Sequence, residues 1–66
     1  MKVIINGDAR EIPNGLTVVA LLEHLGMAGG RVAIERNLDI LSRADWPSTP
    51  VKENDSFEIV HFVGGG

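Results

Sequence analysis

The sequence predicts an α+β domain, a mixed sheet of about four to five strands with one main helix packed on one face. Three features carry this expectation. Apolar, β-branched runs stand near both ends of the chain, at Val3-Ile4-Ile5 and from Ser56 to Val63. One Leu-rich stretch with helical spacing lies between them, and Asn-, Gly- and Pro-containing turns separate the segments. A chain of 66 residues has room for a single core, with residues 1–63 forming the domain and residues 64–66 a flexible glycine tail.

The first strand stops at Asn6-Gly7-Asp8, residues that tolerate positive φ and suit a tight hairpin. The return strand, roughly Ala9 to Ile12, ends at Pro13-Asn14-Gly15, where proline removes a ladder donor. Thr17 is placed to cap a helix over Val18 to Leu25, its hydroxyl accepting from an unpaired first-turn amide. Val18, Leu21, Leu22 and Leu25 form the buried stripe, Glu23 and His24 fall off it, and Gly26 supplies the stop. So short a helix depends on packing against the sheet for its stability.

After the Gly29-Gly30 loop, Arg31 to Glu35 alternates, pointing Val32 and Ile34 inward. Asn37-Leu38-Asp39 turns the chain into a brief strand around Ile40-Leu41. Ser42 to Pro50 reads as irregular, because Pro47 and Pro50 resist regular pairing, and Trp46 is expected to plug the core beneath it. Asn54-Asp55 makes the last turn before the longest strand, Ser56 to Val63. The order β, β, α, β, short β, β, with the apolar first and last strands as a parallel central pair, fits a β-grasp arrangement.

Composition excludes several classes of function. Six Lys plus Arg against nine Asp plus Glu give a net charge of −3, leaving no basic surface to follow a phosphate backbone, so nucleic acid is not an expected partner. The absence of cysteine removes disulfides, thiolate catalysis and Cys-ligated metals together. No run is long enough for a secretion signal or a membrane span, so the expectation is a cytoplasmic chain without a membrane partner.

Internal chemistry is sparse. His24 and His61 are the only imidazoles and neither has a second ligand at metal-binding spacing, so no metal site is expected. His61, on the same strand face as Phe57 and Ile59, reads as a rim or partly buried histidine. No glycine-rich phosphate loop precedes a helix, and the carboxylates form no compact acid/base pair, so the chain is expected to bind no cofactor. One asymmetry remains: beyond Lys52 there is no Lys or Arg, whereas Glu53, Asp55, Glu58 and the terminal carboxylate are negative, which suits a basic partner.

In the last strand Glu58 marks one face as solvent-facing, so Val60 and Phe62 on that face are exposed, and Ile4 joins them because Lys2 and Asn6 turn its face outward. Exposed apolar clusters mark interaction sites, which makes Ile4, Glu58, Val60 and Phe62 the candidate partner-binding residues. Gly64-Gly65-Gly66 then run out of the strand as an unhindered arm of about 10 Å, leaving the Gly66 carboxylate as the candidate functional group. Ionised at neutral pH, a carboxylate resists nucleophilic attack and needs activation by another protein, for instance as an acyl-adenylate made from ATP. Glycines without a Cβ can thread a narrow cleft to reach that machinery.

These residues give the chain a resemblance to the ubiquitin-like sulfur carriers of the ThiS/MoaD family, closest to the thiamine-pathway branch. The likeness rests on Asn6-Gly7, the Gly15-Leu16-Thr17-Val18 entry into the helix, Val32-Ala33-Ile34-Glu35-Arg36-Asn37, Trp46, the Asp55 turn and Ile59 to Gly66. It implies a protein co-substrate and not an enzyme. By the same resemblance, its Gly66 carboxylate is expected to be adenylated by a ThiF-like enzyme that uses ATP, to be converted to a thiocarboxylate by a sulfur donor system, and to give its sulfur to a ThiG-like thiazole synthase. Gly65 and Gly66 match the family's diglycine, Gly64 extends it, and Asn54-Asp55 stands where many relatives have Gly-Asp. A molybdopterin-type carrier and a ubiquitin-like modifier that forms amide bonds share the fold and the ending.

Overall fold

The computed structural model describes residues 1–28 and 31–62. The expected Gly29-Gly30 loop, Val63 and the tail Gly64, Gly65 and Gly66 lie outside the described residues. Strands β1 (Lys2–Ile5), β2 (Asp8–Glu11), β3 (Val32–Arg36), β4 (Asp39–Leu41) and β5 (Ser56–His61) form one sheet in the order β2-β1-β5-β3-β4. β1 runs parallel to β5, and the other neighbours are antiparallel. Helix α1 (Val18–His24) covers one face. This is the mixed β-grasp sheet expected from the sequence, with the last strand at its centre.

Both hairpins use two-residue turns in which each central residue has positive φ, at Asn6-Gly7 (51° and 86°) and Asn37-Leu38 (51° and 74°). That backbone twist matches the twist of the flanking strands. Because the first turn is so short, β2 begins at Asp8 and ends at Glu11, one residue earlier than expected at each end. Ile12 leaves the strand to be buried in the core.

Helix α1 begins where the sequence places it, with the Thr17 hydroxyl accepting from the Ala20 amide. It ends in a Schellman arrangement: the Met27 amide donates to the Leu22 carbonyl and the Gly26 amide to Glu23, with Gly26 at φ 75°. Val18, Leu21 and Leu22 are buried against Val3, Ile5, Val32, Ile34, Phe57 and Ile59. Trp46 closes the core from the side, its Nε1 donating to the Leu41 carbonyl at 3.1 Å.

The structure corrects two expectations about this part of the chain. The segment read as irregular holds a 3-10 helix over Arg43–Ser48. Its short-range bonds, Asp45 to Ser42 and Thr49 to Trp46, leave Pro47 room without losing a needed donor. His61 is exposed and not partly buried. A helix of seven residues is about 10 Å long, while six strand residues span about 20 Å, so the cover ends before His61.

Candidate functional site

β5 alternates as expected: Phe57 and Ile59 enter the core, whereas Glu58 and Val60 point to the face that α1 leaves uncovered. Val60 is 56% exposed and Phe62, just past the strand, 48%. The Phe62 amide still donates to the Arg31 carbonyl at 3.0 Å, so the ladder with the β3 side continues to this residue.

The ladder decides which residues surround Val60. Ala33 of β3 stands directly opposite it, Glu35 stands opposite Glu58, and Ile40 of β4 stands opposite Glu35. Together with Ile34 these residues line an open groove on the uncovered face, and Ile40 is 84% exposed. Ala33, Glu35 and Ile40 were missed by sequence reasoning. The alternation in Arg31 to Glu35 already assigned Ala33 and Glu35 to the outer face, but only the strand order brings them beside β5.

Ile4 is half-buried and sits at the level of Ala9 and Ser56. Four residues of β5 separate that level from Val60, about 13 Å along the sheet. The structure therefore brings Glu58, Val60 and Phe62 into one region and leaves Ile4 apart from them. Gly64, Gly65 and Gly66 lie outside the described residues.

The acidic end of the chain is also more selective than its sequence suggests. Asp55 is 5% exposed and faces inward. Its carboxylate accepts from Arg36 Nε at 3.3 Å, Asn37 Nδ2 at 3.2 Å and the Lys52 amide at 2.8 Å, tying the β3–β4 turn to the start of β5. Glu53 accepts from the Lys2 amide, at the end of β5 remote from Phe62. Of the three acidic side chains, only Glu58 faces the groove, where Glu35 joins it.

The terminal part of β5 is held from the other side by Asn6, whose side-chain amide binds both the N–H and the C=O of Ile59. Sequence reasoning placed Asn6 in the turn and on the outer face but gave its side chain no partner. Among the described residues no group of three or more His, Asp or Glu could hold a metal ion, and no helix is long and apolar enough to cross a membrane.

On this β-grasp frame the uncovered face therefore carries an exposed groove beside the end of β5. The sequence profile of the ThiS family matches residues 3–66. The chain belongs to the ThiS family. A crystal structure of the thiamine biosynthesis protein ThiS from Geobacter metallireducens has a TM-score of 0.85 and 33% identity, with 100% of both chains covered. The sulfur carrier protein ThiS of Escherichia coli is 29% identical over the whole of both chains. A thiazole synthase of Paramagnetospirillum magneticum is 44% identical over all 66 residues of this chain, which span 20% of that protein. The chain thus covers about a fifth of the length of the thiazole synthases it matches. The relatives of similar length thus include proteins named as sulfur carriers and as thiamine biosynthesis proteins.

Proposed function

We propose that this chain carries sulfur as a thiocarboxylate on Gly66 and delivers it for formation of the thiazole ring of thiamine. The observation that supports the reading most directly is that the ThiS-family match runs through to residue 66 and so includes all three terminal glycines. A ThiF-like adenylating enzyme supplies the activation: a carboxylate oxygen of Gly66 attacks the α-phosphorus of ATP, pyrophosphate leaves, and an acyl-adenylate results. A sulfur donor system then displaces AMP. The chain contributes no catalytic side chain and acts as co-substrate in the cytoplasm, where ATP is available.

The folded domain contributes binding energy. Ordering three glycines in a cleft costs about 3–6 kcal/mol, which docking of the domain must offset. Val60, Phe62 and Glu58 are the proposed docking residues, and Ile4 is reached only by a footprint that crosses the sheet. For the recipient, a ThiG-like thiazole synthase is favoured by the two thiazole synthases whose own polypeptides contain a segment 44% and 41% identical to this chain. That relationship also favours the thiamine branch over a molybdopterin-type carrier.

Intact-mass measurement tests the reading. Incubation with ATP, the adenylating enzyme and a sulfur donor should raise the mass by the difference between sulfur and oxygen. An unchanged mass, or amide conjugates to lysines in its place, would refute it.

A further inference from the structure

Glu35 and Glu58 are directly opposed across the β3–β5 ladder, on the uncovered face of the sheet. Like charges in that position destabilise a sheet. Among the described residues neither carboxylate enters an ion pair, whereas Asp55 is paired with Arg36 and Glu11 with the terminal amine. The two charges border the apolar surface made by Ala33, Ile40 and Val60, so groove and carboxylates form one continuous surface. A neutral or acidic partner closing over this groove would strip water from two carboxylates and return nothing. A cation placed between them removes their mutual repulsion and satisfies both.

We propose that this face docks a protein segment that sets one arginine between Glu35 and Glu58 and an apolar side chain on Ile40 and Val60. Arginine suits the position because its planar fork can donate to two carboxylates at once, and its charge persists when water is excluded. The inference rests on the carrier reading above and takes the thiazole synthase as the partner that bears this segment. The docking surface thereby extends from β5 across β3 to β4, away from Ile4.

The test is binding of the full chain to the thiazole synthase of the same organism, by calorimetry at low and high ionic strength. Glu35→Gln and Glu58→Gln should each weaken binding about tenfold at low salt, and the wild type should lose affinity as salt rises. The same substitutions should leave the melting temperature unchanged or higher, because they relieve a like-charge pair. A structural role for the glutamates predicts the opposite sign. Ile40→Ser should weaken binding without loss of stability, and Glu23→Gln, on the helix, should change neither. Wild-type affinity in both Gln variants, or binding indifferent to salt, overturns the arginine clamp while leaving the carrier reading intact. Failure of the wild type to bind the synthase at all overturns the assigned recipient and the clamp with it.

Discussion

Asn6 and Ile59 are joined by two hydrogen bonds: Asn6 Nδ2 donates to the Ile59 carbonyl at 3.0 Å, and Asn6 Oδ1 accepts from the Ile59 amide at 2.7 Å. Strand β1 has already turned away at this point, so a side-chain amide takes the place of the next peptide group in the parallel ladder. The strand that leads to the tail is thus held on both sides as far as Ile59, by Asn6 and by Ile34 of β3. Asn also tolerates the φ of 51° that the turn requires.

Removing that amide separates its two roles. Asn6→Gly keeps the turn and loses both bonds, which should reduce unfolding free energy by about 1–3 kcal/mol. Asn6→Ala should cost roughly 1 kcal/mol more, because alanine strains at positive φ. Urea unfolding gives the ranking, and amide exchange at Ile59 should quicken in both variants. Equal stability of the wild type and the Gly variant would show that the side-chain ladder contributes nothing.

Leu38 is the reverse case. It holds φ 74° at a hairpin tip and is 89% exposed, so it bears backbone strain and contributes no buried surface. Leu38→Gly creates the Asn-Gly pair that this turn favours and should stabilise the chain by about 0.5–1 kcal/mol, even after the added freedom of glycine in the unfolded state. For a domain of this size that corresponds to a melting temperature raised by about 4–7 °C. A lowered melting temperature would contradict the strain argument.

Tail and domain should fail separately. Gly65→Val is expected to block thiocarboxylate formation, read as loss of the mass shift, with urea unfolding unchanged. Normal activation of that variant would remove the narrow-cleft argument.

Phe62→Asp is expected to weaken association with the adenylating enzyme, while stability stays within about 0.5 kcal/mol because the side chain is half exposed already. Undiminished association would exclude Phe62 from the docking surface.

Much of this was legible in the sequence because local chemistry decides it. Thr17, Gly26, Asn6-Gly7 and Asn37 set the caps and turns through their own backbone preferences, and the alternation of Val32, Ile34, Phe57 and Ile59 fixed which face is core. What was not legible depends on strand order or on side chains acting at long range. Glu35 and Ile40 belong beside Glu58 and Val60 only because β3 and β4 follow β5 across the sheet. Asp55 looked like part of an acidic surface, yet Arg36 and Asn37, far away in sequence, draw it inside. The separation of Ile4 from Val60 follows from the β1–β5 register, which alternation alone does not reveal.

The central position of β5 has a mechanical consequence. Tension applied along β5 loads a strand flanked by β1 on one edge and β3 on the other, so extraction must shear two rows of backbone hydrogen bonds together instead of peeling one. A terminal handle on an outer strand would unzip stepwise under far less force. The frame therefore resists a pull along β5 as one unit, with both neighbouring strands sharing the load.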